Sequence, residues 1–439
     1  MDQVKATENV EESRSVMPQP HELRRASTWL PSFAPRALLD IQSLRAFGHR
    51  IANSYNAVAI LVLNTLLLFA CFELAASSYV NIRQLLPARP EPLIGEGGPR
   101  ETVSYYASQS WAPRYWHEFR LARRQRYYSY VGWRRAPFDG QTIQIDERGI
   151  RLTPGADCSA NSFKVFAFGG STMWGTGSPN WGTIPAYLQT GLQKLRHGPV
   201  CVVNFGETAY VSTQGLIILL MQLRSGNVPD LVVFYDGPGD IYAAYQSGRA
   251  DVHQNFDAIA AKFERRQNPS TFVDKLRSSY SYSLIENLLS KLIIAKPRQE
   301  ETTEPITYES MGIDAGTLSD LLVQNYFGSY NIVSALAQKY GFKYSFFLQP
   351  IVSMGDKRLT TEEQEMKHSL EMETAFNKLC TAVYKTAELE SSKYQNFYTM
   401  AHIFDEYDSL LWIDEFHVTP VGNQLIAQKM LDVITRRSS

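Results

Sequence analysis

The sequence predicts an α/β protein: a doubly wound parallel sheet with a helical insertion, preceded by one transmembrane helix. Three observations carry this. From residue 163 onward, short continuous apolar runs alternate with helix-length stretches, the pattern of strands buried on both faces by helices. Glycine-rich turns follow several of those runs, FKVFAFGG, PVCVVNFG and DLVVFYDGPGD, where strands end and helices begin. Far upstream, the run from Ala57 to Ala76, AVAILVLNTLLLFACFELAA, has the length needed to cross a hydrocarbon core as a helix.

In chain order, residues 1–54 are polar and read as a flexible tail, with one short amphipathic stretch at 38–51. Residues 55–79 form the anchor. A cleaved signal peptide would sit at the very N-terminus, whereas more than fifty residues precede this run. A buried core helix is the bland alternative, because Asn64, Thr65 and Glu73 interrupt the apolar run, although Glu73 lies near its end, where a carboxylate reaches the interface. Residues 80–100 are a linker, since Pro87, Pro90 and Pro92 with Gly95, Gly97 and Gly98 cannot continue a helix. Residues 101–162 are expected to add a helix at 111–126 and a small hairpin turning at Asp139-Gly140. Seven arginines between Arg114 and Arg135 read either as a patch for anionic headgroups or acidic glycans, or as a solvated helix face.

The main domain is then 163–439. Helices are expected near 183–195 and 214–223, followed by an insertion at about 241–312 with helical stretches at 256–263 and 273–294. The alternation resumes with a helix at 318–340, the strand FKYSFFLQPIV, a helix at 362–388 and a last helix from Thr419. No repeat of solenoid period is visible.

Composition narrows the function. Forty-three basic against 44 acidic residues leave a formal charge of -1, so no global field draws the chain to nucleic acid, and no nucleic-acid partner is expected. Cys71, Cys158, Cys201 and Cys380 lack CxxC or Cys/His ligand spacing, and the eight histidines make no HExxH, so neither a metal nor another cofactor is expected. Cys158 and Cys201 precede or occupy neighbouring strands and are the pair an oxidising compartment would allow to join.

Chemistry in an open α/β sheet belongs just beyond the carboxyl ends of the strands. There, Phe168-Gly169-Gly170-Ser171-Thr172 puts a serine on a glycine-rich strand-to-helix turn, where backbone N–H groups at a helix start favour a developing oxyanion. A serine that merely caps the helix would explain the same residues. At the other end of the chain, Asp414-Glu415-Phe416-His417 supplies a carboxylate and an imidazole three residues apart, a spacing that lets Asp414 fix the tautomer of His417. A lone DxxH is more often a surface pair.

Together with Asn204-Phe205-Gly206 and Asp236-Gly237-Pro238-Gly239-Asp240, these stretches resemble the SGNH (GDSL-like) hydrolase family in order and separation, over about residues 128–435. The wording is similar to membrane-anchored bacterial envelope and polysaccharide-associated members, with GGST in place of GDS. The resemblance implies a flavodoxin-like three-layer fold, Ser171 as nucleophile, His417 as base, Asp414 as its partner, and an oxyanion hole from Ser171, Gly206 and the position of Gly239. That last position departs from the pattern, because the family's usual asparagine donor is absent and glycine has no side chain to give. The resemblance further implies an acylated carbohydrate or other ester as substrate, with acetyl the acyl group, and transfer as the variant of hydrolysis. A lipid esterase or thioesterase, and a glycan-binding assembly component of an envelope polysaccharide machinery, are the alternatives. Arg45 and Arg50 before the anchor balance Arg83 and Arg89 after it, so flanking charge does not set the orientation; it is the resemblance that places the anchor in the inner membrane with the tail cytoplasmic and the C-terminal domain in the periplasm. The wording Leu348-Gln349-Pro350 belongs to the same likeness, with no chemical role attached.

Overall fold

Continuous apolar stretches make the central sheet. In the computed structural model, which describes residues 41–85, 98–267, 281–282, 285 and 307–436, five parallel strands run β5 (Phe163–Gly169), β6 (Val200–Asn204), β7 (Leu231–Asp236), β8 (Lys343–Leu348) and β9 (Phe397–Thr399). Their order across the sheet is β6-β5-β7-β8-β9. The chain therefore steps outward from β5 to β6 and then reverses past β5 to β7, which opens a crevice at the carboxyl ends of β5 and β7. Aromatic rings lock the middle of the sheet: Phe168 stacks on Phe234 at 4.9 Å and Phe234 on Phe346 at 4.5 Å.

Helices cover the sheet in two groups. One group is α5 (Ile184–Leu195) against α12 (Pro420–Arg436); the other joins α6 (Ser212–Arg224), α7 (Pro238–Ser247), α9 (Ala315–Tyr340) and α11 (Thr374–Ser391). Local signals set the helix starts. Thr183 accepts the Ala186 N–H at α5, and Asp314 accepts the Thr317 N–H at α9. The helix expected at 362–388 is instead two, α10 (Thr361–Met372) and α11, because Glu373 between them takes a non-helical φ -78°, ψ 66°. The last strand, β9, is only three residues long and its apolar run is too short to read from sequence.

Ahead of the sheet, a 3-10 turn (Gly98–Thr102), a single turn α2 (Ser104–Ala107) and α3 (Ala112–Leu121) lead into two hairpins. The helix expected over 111–126 stops at Leu121, because Gln125–Tyr128 is β1, paired with β2 (Gly132–Arg135); β3 (Phe138–Asp139) and β4 (Gln144–Ile145) make the second hairpin. Two of the seven arginines expected at the surface, Arg134 and Arg135, are buried. So is Arg151, whose guanidinium donates to the carbonyls of Trp174, Gly175 and Ser178 and stacks on the Trp174 ring. Burial pulls its pKa down to about 10. This buried cation ties the N-terminal extension to the chain just beyond Ser171.

Cys158 and Cys201 form a disulfide with Cα atoms 4.8 Å apart, closing a loop of 43 residues' separation from the extension onto β6. A loop of that length predicts about 3–4 kcal/mol of stabilisation. Thermal melts of a Cys158→Ser, Cys201→Ser variant should fall by about 5 °C; an unchanged melt would mean that the bridge adds nothing to the fold.

The chain divides into two units, 1–79 and 80–439, each described by itself. Most of α1 (Ile41–Leu85) lies in the first, and it holds the single stretch among the described residues that is long and apolar enough to cross a membrane as a helix, Arg45–Tyr79. Of the expected tail, residues 1–40 lie outside the described residues, as does most of the helical stretch expected at 273–294; the described insertion includes α8 (Phe256–Gln267).

Candidate active site

Each predicted chemical residue sits where a strand or a tight loop ends. Ser171 opens a four-residue turn of helix, α4 (Ser171–Trp174), immediately after β5. The turn can be this sharp because Gly169 has no side chain: a Cβ there would lie 2.4 Å from the Tyr235 carbonyl oxygen. His417 and Asp414 share a loop closed at its base by the Trp412–Val418 bridge and by the Ile413 N–H donating to the His417 carbonyl at 2.9 Å. Inside that loop Asp414 Oδ1 accepts the N–H groups of Phe416 at 2.8 Å and His417 at 2.7 Å, so the carboxylate shapes the loop that carries the imidazole.

The three side chains are joined. His417 Nε2 lies 2.7 Å from Ser171 Oγ, and His417 Nδ1 lies 2.9 and 2.8 Å from the two oxygens of Asp414. With Asp414 ionised, Nδ1–H must donate to it, which leaves Nε2 as the acceptor for the Ser171 hydroxyl. Burial alone would raise the Asp414 pKa, but the His417 imidazole and the Arg100 guanidinium outweigh it and hold the carboxyl well below the usual range.

Two residues beyond those predicted brace the arrangement. Gln349, at the end of β8, accepts from Thr172 Oγ1 at 2.6 Å and donates to the Phe416 carbonyl at 2.9 Å, so one amide spans the neighbours of Ser171 and His417. In the sequence it stands in the Leu348-Gln349-Pro350 wording that belongs to the family likeness, to which no chemical role attaches. Arg100 donates from Nε to Asp414 Oδ2. The segment up to residue 100 was expected to be a linker; its end is instead part of the site. The contact spans 314 positions in the chain and has no local signature.

The predicted oxyanion positions fare differently. Ser171 lines both of the clefts described below and lies at the start of α4, and its N–H donates to no protein acceptor among the described residues. Gly206 must be corrected: its N–H already donates to Asn204 Oδ1 at 3.0 Å, and it lines neither cleft. Glycine is needed there for packing, since a Cβ would lie 2.6 Å from the Trp174 nitrogen. Three residues on, Ala209 lines both clefts and adopts φ 62°, a left-handed conformation uncommon for alanine. Among the described residues its N–H meets no acceptor.

Gly239 lines one cleft from the first turn of α7. A Cβ at this position would lie 2.4 Å from the Tyr210 carbonyl oxygen, so the backbone here has closed into the space a side chain would need. The Gln254 amide, from the chain after α7, lies 3.6 Å from the same point and donates to the Gly239 carbonyl. Gly239→Asn is therefore expected to lower reactivity at Ser171 by about a hundredfold, through displacement of the Tyr210 loop, instead of restoring a donor. A rate above that of the native chain in a direct comparison would show that the backbone accepts asparagine.

Two clefts meet at Ser171 and His417. The tighter, about 360 Å³, is lined by Tyr242, Leu370, Phe376 and Phe416 together with Asp236, Gln254 and Glu373. The wider, about 1150 Å³, is lined by Arg100, Arg123, Glu362, Glu365 and Ser369. Asp236 lines the tighter cleft, with Asp240 beside it. Burial, then the neighbouring Asp240 charge, pushes the Asp236 carboxyl well above its ordinary range; desolvation, opposed by Ser212, brings Asp240 up to about 6 although that residue keeps some exposure. Asp236 Oδ2 has no protein partner among the described residues. A trio elsewhere, the exposed Asp356 and His402 with the half-buried Asp405, has ligand atoms within 4.8 Å of one another, away from both clefts.

No protein-family description matches the chain, and no curated protein does. Solved structures of similar shape include an acetyl xylan esterase (16% identical, 62% of this chain and 99% of that one, TM-score 0.34). They also include a member of the lipolytic G-D-S-L family from Veillonella parvula (12%, 62% and 98%, TM-score 0.32). A third is a lipase/acylhydrolase from Enterococcus faecalis (12%, 62% and 96%, TM-score 0.31).

Proposed function

We propose that the unit beginning near residue 98 is a serine esterase of the SGNH type that removes a small acyl group, or passes it on. The supporting observation is the hydrogen-bonded run from Ser171 Oγ through His417 to Asp414, opening on two clefts. Ser171 Oγ attacks the ester carbonyl carbon while His417 Nε2 takes its proton; Asp414 holds the ring and stabilises the imidazolium. The negative oxygen is held by the backbone N–H groups of Ser171, Ala209 and Gly239, with Ala209 in the role the sequence had assigned to Gly206. Collapse expels the alcohol, which takes the proton from His417. Water, or a sugar hydroxyl in a transferase, then attacks the acyl-serine under the same base.

The substrate we infer is an acylated carbohydrate, acetyl being the acyl group, at the outer face of the membrane. The wide cleft, lined by charged and hydroxyl side chains, suits a hydroxyl-rich leaving group, and the tighter cleft suits the acyl side. The Cys158–Cys201 disulfide fits an oxidising compartment, and with the apolar span Arg45–Tyr79 it favours an anchor with residues 1–54 in the cytoplasm and the enzyme outside. A second reading, a hydrolase fold kept for glycan binding, draws on Gly239, which offers no side-chain donor.

A fluorophosphonate probe separates the two. Covalent labelling of the native chain that disappears in Ser171→Ala supports the esterase; a native chain that stays unlabelled under conditions where it remains folded favours the binding protein.

A further inference from the structure

The Asp414 carboxylate has two side-chain partners, and the second is not part of any serine–histidine–aspartate scheme. Oδ2 accepts both from His417 Nδ1 and from Arg100 Nε. Arg100 belongs to the 3-10 turn Gly98–Thr102, the first described segment after the anchor-bearing helix. That turn and the one after it are held in place independently: Glu362 accepts from the Ser104 N–H and hydroxyl, Tyr106 donates to the Gly177 carbonyl at 2.8 Å, and Arg120 pairs with Glu101 at 3.0 Å. Arg100 also lines both clefts. Burial works against its charge, but Asp414 and then Glu415 more than compensate and raise its pKa.

We propose that Arg100 is a positioning residue for Ser171 chemistry: it clamps the Asp414 carboxylate and shares its charge, keeping the imidazole available as a neutral base. The proposal rests on the esterase reading above. An aspartate facing only an imidazole stabilises the imidazolium fully; one also paired with a guanidinium does so less, and the nearby cation opposes a second positive charge directly. Both effects act in the same direction. The segment joining the enzyme unit to the anchor thereby supplies a side chain to the reaction.

Other titratable groups line the clefts that His417 shares. Glu415, Glu373 and Asp236 line the tighter cleft, and Arg123, Arg135, Glu362 and Glu365 the wider. Tyr106 and Tyr115 stand near Arg100 and Asp414, and burial raises the pKa of both phenols, so they stay neutral. Arg135 is paired with Glu207 and Glu362 receives Ser104. Among the described residues, Arg100 is the one cation in contact with the Asp414 side chain besides His417.

The test follows the rate of Ser171 phosphonylation by a fluorophosphonate from pH 5 to 9, with the full-length chain in detergent micelles. Native, Arg100→Gln, Arg100→Lys and Ser171→Ala chains are compared. In Arg100→Gln the acid limb of the rate profile should move up by about one pH unit, so that labelling falls about tenfold at low pH and much less at high pH. Arg100→Lys should keep the limb near its native position. A uniform loss at every pH, or an unchanged profile, would overturn the proposal and reduce Arg100 to an anchor of its own turn; if Arg100→Gln does not fold, a native-like limb in Arg100→Lys supports it and a shifted limb overturns it. A failure of the esterase reading looks different, with native and Ser171→Ala chains labelled alike.

Discussion

Ester turnover in Ser171→Ala should fall by about four to six orders of magnitude, and His417→Ala should fall about as far. The two changes should not add. Oγ and Nε2 are 2.7 Å apart and act on one proton, so a chain already lacking the hydroxyl has nothing left for the imidazole to activate. The double variant should therefore react at nearly the single-variant rate. Asp414→Asn is expected to lose about 10⁴-fold, since an amide that donates to Nδ1 would impose the wrong tautomer, and it would also leave Arg100 without its partner. Acetate release from 4-nitrophenyl acetate, followed beside circular dichroism of each variant, measures all four. Multiplicative losses in the double variant would mean that Ser171 and His417 work separately and that the proposed unit is wrong.

How much of this the sequence could show depends on how local each signal is. Strands β5 to β8 were legible because each is a continuous apolar run flanked by turn residues, and a strand buried on both faces needs little else. The split at Glu373 was not, because the apolar spacing continues across it and only the backbone angles break. Among the site residues, Ser171, Asp414 and His417 stood in recognisable turns, and the fold brings them within hydrogen-bond reach. The oxyanion loop misled the reading for a physical reason. Glycine is the residue one expects where backbone must expose an N–H, yet Gly206 serves close packing against Met173 and Trp174, while Ala209 takes the positive φ beside Ser171. Arg100 and Gln349 make contacts between segments far apart in the chain; nothing near Arg100 marks it, and the Leu348-Gln349-Pro350 wording points to the family without giving Gln349 a role.

The loop that carries Ala209 depends on a buried ion pair, so Glu207→Ala should be the most damaging single change away from the triad. Glu207 is 2% exposed and accepts the Arg135 N–H at 2.8 Å and the Thr208 N–H at 2.7 Å, with its carboxylate 3.6 Å from Arg135 Nε. Burial raises the pKa of Glu207 and lowers that of Arg135 despite their pairing, which shows how thoroughly both are removed from water. Deleting the carboxylate strands a buried guanidinium and two N–H donors, a loss of about 3–5 kcal/mol. For a domain of this size that corresponds to a fall in Tm of about 5–8 °C. Because the same loop carries Ala209 into the clefts that Ser171 lines, labelling of the surviving folded protein should slow as well, whereas the Cys158–Cys201 variant should lose stability with its labelling rate intact. Glu207→Gln, which keeps the acceptor oxygen but not the charge, should recover part of the Tm. If Glu207→Ala melts and labels like the native chain, Arg135 has found another partner and the loop is held by packing alone.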